Sequence, residues 1–107
     1  MAAFYYDTCT KLREIFSENC NLSMEQYEEI SGQLIDLVED YQENEPDAEI
    51  EKRENVLKVI FDFLFNTKEL TLKEHLDLNN MLDEMHEQAE RQRAEIVRKA
   101  VTEGTVL

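Results

Sequence analysis

The sequence predicts an all-α fold: a small bundle of about four helices with a long C-terminal helix, forming one domain over residues 1–107. Three observations lead there. Two Gly and one Pro leave too few turn formers for a sandwich or barrel, whose hairpins need them at frequent intervals. A 42% hydrophobic content is enough to fold one core but, in 107 residues, not two. The apolar residues recur at steps of three and four, the helical period.

Tyr5, Cys9, Leu12, Ile15 and Phe16 follow that period and predict a first amphipathic helix from about Phe4 to Glu18, with Asn19 to Leu22 as a connection. Ser23 followed by Gln26 has the spacing of a capping box and opens a second helix. Its stripe runs through Tyr27, Ile30, Leu34, Leu37, Val38 and Tyr41. Gly32 inside it costs ~1 kcal/mol relative to Ala unless another backbone approaches closely there. Pro46 ends the second helix region, and Asp47 is expected to cap a third helix from about Ala48 to Phe65. The half from Val56 to Phe65 is apolar on nearly every side, which predicts the centre of the core or an oligomer interface.

Asn66 to Leu70 turns the chain, and Thr71 with Glu74 forms a second capping box. The last helix is expected from Leu72 to about Thr102, ~45 Å at ~1.5 Å per residue. Along it His75, Leu78, Leu82, Met85, Ala89, Gln92 and Ile96 form a coiled-coil-like seam. A long helix with such a seam predicts a homodimer whose interface includes Phe61, Phe65, Leu78, Leu82, Met85, Ala89 and Ile96.

Charge is distributed unevenly. Residues 1–50 carry thirteen acids and two bases, net −11, whereas 51–107 carry twelve acids and nine bases, net −3. Between Glu18 and Glu51 there is no Lys or Arg at all. On the second helix Glu25, Glu28, Glu29, Asp36, Glu39, Asp40 and Glu43 lie opposite the apolar stripe and form an acidic ridge, which Glu45 and Asp47 continue. Like charges three and four apart cost roughly 0.2–0.5 kcal/mol per pair, and Glu39, Asp40 and Glu43 sit at the negative end of the helix dipole. Such a ridge suits a basic surface on a partner protein, although it also serves solubility alone.

The residues for other chemistry are sparse. His75 and His86 share a helix face but stand ~16 Å apart, too far to ligate one metal. Asp83 and His86 lack the Glu-x-x-His pattern of a di-iron bundle. Asp40 to Glu51 has acids at the first and last positions of a calcium loop but Glu45 where Gly is required. No Gly-rich phosphate loop or Cys-x-x-Cys occurs. Neither catalysis nor a cofactor is expected; His75 is expected as a packed interface residue and His86 as a surface one. Cys9 and Cys20 would stand ~16 Å apart if one helix carried both, beyond disulfide reach, and are expected as reduced core thiols. The N-terminal residues lack the pattern of a secretory signal, and no apolar run reaches the ~20 residues of a membrane span, so a cytosolic protein is expected.

The acid excess argues against direct nucleic-acid binding, despite Arg91, Arg93, Arg98 and Lys99 near the end of the last helix. Those bases suit the helix dipole or an acidic patch on a second protomer. In size, helicity and charge the chain resembles the small acidic inhibitors that phages make against restriction or CRISPR nucleases, a likeness of class that rests on no motif. It implies a nucleic-acid-mimicking inhibitor of a nucleic-acid-binding protein, acting in the host cytoplasm. The alternative is a structural module that assembles through its last two helices.

Overall fold

The computed structural model describes residues 7–19, 21–43 and 45–104. They form four helices and no strand: α1 (Thr8–Ile15), α2 (Met24–Gln42), α3 (Asp47–Asn66) and α4 (Leu72–Gly104). Each helix packs on the next, and α1 closes the ring by packing on α4 as well as α2. The 33 residues of α4 span ~50 Å and account for most of the 59 Å long dimension.

Each start has a local cause. At α1 the Asp7 carboxylate accepts from the Thr10 backbone N–H at 3.0 Å and from its hydroxyl at 2.7 Å. These bonds favour the ionised carboxyl and lower its pKa. The helix ends at Ile15, earlier than the periodicity predicted, and its expected start at Phe4 lies outside the described residues. The Ser23 capping box forms in both directions, Ser23 Oγ accepting from Gln26 N at 3.1 Å and Gln26 Oε1 from Ser23 N at 2.9 Å. The Thr71–Glu74 box forms likewise, at 3.2 and 2.8 Å. Asp47, expected as a cap, is instead the first residue of α3; Pro46 occupies the cap position and offers no side-chain bond.

Two connections are locked together. Asn19 Oδ1 accepts from the N–H groups of Asn21 and Leu22 at 2.7 and 2.8 Å, while its amide nitrogen donates to the Glu74 carboxylate at 2.8 Å and the Glu69 carbonyl at 3.0 Å. The loop between α1 and α2 is thereby tied to the turn between α3 and α4. In that turn Lys68 takes the left-handed conformation, φ 68°, which lets the Glu69 and Leu70 N–H groups reach back to the Leu64 carbonyl.

The core is one cluster built from all four helices. Leu12, Ile30, Leu34, Leu37, Leu57, Phe61, Leu78 and Met85 are fully buried in it. The seam on α4 therefore serves a different purpose from the one expected. Phe61, Leu78, Leu82, Met85 and Ala89 face the chain's own α1–α3 and have no surface left for a second copy. Phe65 is half-buried against the same cluster, and Ile96 alone of the expected interface residues is exposed. The physical reason is that the apolar faces of all four helices meet in one core, and the long apolar stripe of α4 is needed to close it. Cys9 is exposed rather than in the core, and Cys20 lies outside the described residues. Among the described residues, no helix is long and apolar enough to cross a membrane.

Candidate functional site: an acidic face and a buried carboxylate network

The outer face of α2 presents Glu25, Glu28, Glu29, Asp36, Glu39 and Glu43 to solvent, with Asp40 half-buried at its edge. No basic residue lies in the last turn of α2. The α3 edge of the face is, however, partly neutralised from within the chain. Arg53 of α3 places Nε 2.5 Å from Asp40 Oδ2, and one terminal nitrogen 3.6 Å from Asp36 Oδ2 and 3.2 Å from Gln33 Oε1. The bond to Asp40 is the main reason the guanidinium pKa rises.

The far end is held by Arg93 of α4, which pairs with the Asp47 carboxylate and donates to the Glu45 carbonyl at 2.8 Å. Arg93 thus meets an acidic patch on its own chain, where the sequence suggested the helix dipole or a second protomer. Its Nε is buried with no hydrogen-bond partner among the described residues. Of the nine carboxylates expected to bind a partner, Asp36, Asp40 and Asp47 have internal ion pairs. Glu25, Glu28, Glu29, Glu39 and Glu43 form the exposed remainder, and Glu45 is half-buried.

Between α2, α3 and α4 lies a cleft of about 460 Å³ with a polar network that the sequence did not announce. Glu54 of α3 is 8% exposed. Its Oε2 accepts from the Tyr41 hydroxyl at 2.6 Å and lies 2.9 Å from His86 Nδ1, while His86 Nε2 lies 2.9 Å from Glu90 Oε1. Burial and the adjacent carboxylate push the Tyr41 phenol well above its ordinary pKa, so it stays a donor. Desolvation lowers the pKa of His86, but its hydrogen bonds and the negative charge of Glu54 and Glu90 outweigh this, and the net shift is upward. His86, expected as a surface residue, is a bridge between α3 and α4.

One signal in the sequence was open to reading: Glu54 occupies an inward position on α3, between Ile50 and Leu57, where a carboxylate needs a partner. His75 sits elsewhere, stacked on Phe65 with ring centroids 4.7 Å apart and with Nε2 2.7 Å from Asp62 Oδ1. It packs against the chain's own α3. No group of three or more His, Cys, Asp or Glu among the described residues is placed to hold a metal ion. No protein-family model matches the chain, and no curated protein or solved structure matches it.

Proposed function

We propose that the protein is a non-catalytic binding protein whose α2 face engages a basic surface on a partner protein, and that the partner is one that otherwise holds nucleic acid, such as a nuclease. The observation that carries this reading is the row Glu25, Glu28, Glu29, Glu39 and Glu43, exposed on one helix with no base among them. The opposing charges of Arg53 and Arg93 are taken up by Asp36, Asp40 and Asp47 at the edges of the row, so the outward field is that of the remaining carboxylates. These five acids from Glu25 to Glu43 give one charge per ~5.4 Å, against one per ~1.7 Å of duplex axis. The face therefore imitates the sign of a duplex at lower density, which favours fast, salt-sensitive association. The Tyr41–Glu54–His86–Glu90 groups bond one another rather than converging on an open point, so they suit stability better than turnover.

The test is capture from nuclease-treated lysate at low salt, with wild type and the variant Glu25→Lys/Glu28→Lys/Glu39→Lys/Glu43→Lys as baits. The wild type is expected to retain a nucleic-acid-binding protein that moderate salt or added duplex DNA releases, and the variant to retain none. Reversal at Glu39 and Glu43 improves the charge at the helix C-terminus and offsets the loss of Glu25 from the first turn, and circular dichroism of the variant checks that helicity is preserved. Capture by the variant equal to wild type overturns the reading.

A second reading, assembly between copies, draws on the far end of α4, where Ile96, Val97 and Val101 are 41, 61 and 61% exposed. Its mark is self-association that persists in high salt and is lost on Val97→Asp.

A further inference from the structure

The face that α3 turns away from the core is apolar where a solvent-facing helix would carry Lys or Glu. Ile50, Leu57, Phe61 and Leu64 point inward, yet Val56, Val59 and Phe63 are 44, 66 and 62% exposed. Their spacing of three and four places them on a single stripe, with Val56 and Phe63 ~10.5 Å apart along the axis. Neither Val nor Phe is favoured by helix propensity over the polar residues that usually fill such positions. Local helix formation therefore gives no reason for them, and a contiguous apolar row bordered by charge suits an interaction surface.

The border is set by the register of α2 on α3. α2 ends at Gln42 and α3 begins at Asp47, so the short connection makes the two helices antiparallel, and the bonds of Arg53 to Asp40, Asp36 and Gln33 match their levels. Gln33, Asp36 and Asp40 are spaced three and four apart, and Glu29 is the next member of that row, one turn back. One turn back along α2 is one turn forward along α3, towards Phe63. By this register the α2 row that holds Glu29 and Asp36 lies on the side of the Val56–Val59–Phe63 stripe, with Arg53 already paired to Asp36 and Asp40 at one end and Glu29 exposed at the other. Lys52, four residues before Val56 and exposed, stands at the other end of the same stripe.

We infer that this stripe and the α2 carboxylates beside it form one shallow groove that receives a basic amphipathic helix of the partner. The inference rests on the reading that α2 binds a basic surface, and it specifies the element that binds. The backbone N–H and C=O groups of both groove walls are consumed inside α2 and α3, so an added strand would find no main-chain partners and side-chain packing must supply the contact. An apolar row at i, i+3 and i+7 is complementary to the same row on another helix. Charge selects the sign of that helix. A second copy of this chain carries the same net charge of −14 and is repelled overall by this acidic side of the molecule, whereas a helix with Lys or Arg flanking its apolar face meets Glu29 favourably. Lys52 orients the partner, since the basic flank avoids that end and lies over Glu29.

The probe is a synthetic peptide of about eighteen residues, or five turns, with leucines along one helical face and lysines on its flanks. Its control is a scrambled isomer of identical composition, which has the same charge and no apolar face. The amphipathic peptide is expected to bind at least about tenfold more tightly than the isomer and to move the amide resonances of Val56, Val59, Phe63 and Glu29. Val59→Ser/Phe63→Ser, at exposed positions that leave the core intact, is expected to erase that preference while keeping the weaker, salt-sensitive binding of both peptides. Equal binding of the two isomers by wild type overturns the groove but leaves the acidic-face reading standing. Failure of both peptides to bind overturns both readings. Resonance changes confined to the far end of α4 overturn the groove, as does self-association in sedimentation that Val59→Ser/Phe63→Ser abolishes.

Discussion

The Tyr41 hydroxyl donates to Glu54 Oε2 at 2.6 Å, joining the last turn of α2 to a carboxylate that is 8% exposed on α3. The bond matters because a buried carboxylate that loses a donor keeps its desolvation cost. Tyr41→Phe retains the ring and removes only the donor, so it is expected to destabilise the fold by about 1–3 kcal/mol. Urea unfolding followed by circular dichroism measures this. A change within a few tenths of a kcal/mol would show that water replaces the hydroxyl.

His86 makes stability depend on pH in a predictable direction. Its pKa is raised in the folded protein by Glu54 and Glu90 against the opposing effect of desolvation, so the native state binds the proton more tightly than the unfolded chain does. That stabilisation is fully present below the ordinary histidine pKa of ~6.5 and is lost as pH rises through the higher folded value. The urea midpoint of the wild type is expected to fall between about pH 6 and 8 relative to that of His86→Gln, which lacks the titrating ring. Parallel pH profiles for the two proteins would refute the assignment. The ring is partly exposed, so the effect is expected to be modest and reduced by salt.

Gly32 has no structural need to be glycine. Its φ is not positive, and a Cβ built there would meet no atom within 4 Å beyond the helix's own backbone. Gly32→Ala is therefore expected to stabilise the protein by about 1 kcal/mol through helix propensity alone. A loss of stability, or a loss of partner capture without unfolding, would reveal a close approach to this face in the complex.

Leu82 separates a core from an interface. It is 1% exposed within the single chain. Leu82→Ala is expected to cost about 2–5 kcal/mol, and Leu82→Asp to abolish the cooperative thermal transition rather than merely to dissociate an oligomer. A folded, monomeric Leu82→Asp protein would show that the seam serves assembly after all.

The α3–α4 turn offers a check on backbone strain. Lys68 holds a left-handed conformation that glycine adopts more readily. Lys68→Gly is expected to raise stability by a few tenths of a kcal/mol up to about 1 kcal/mol, the gain in the native state being offset in part by greater unfolded-state entropy.

What the sequence determined by itself was local. The period of the apolar residues located four helices, and the Ser23–Gln26 and Thr71–Glu74 spacings located two of their starts, because these interactions join residues three or four apart within one segment. The acid-only stretch was equally legible as a ridge on α2. Tertiary structure decided which faces are buried and which charges are answered. Periodicity marks the α4 seam as apolar but not whether its own chain or another copy covers it; helix packing directs Leu78, Leu82 and Met85 inward. Glu54 and His86 are 32 positions apart, and Arg93 and Asp47 are 46 apart. Such pairs depend on the relative rotation and register of packed helices, set by how all their side chains interdigitate, and no spacing within one segment encodes that. The same packing leaves Val56, Val59 and Phe63 outside the core.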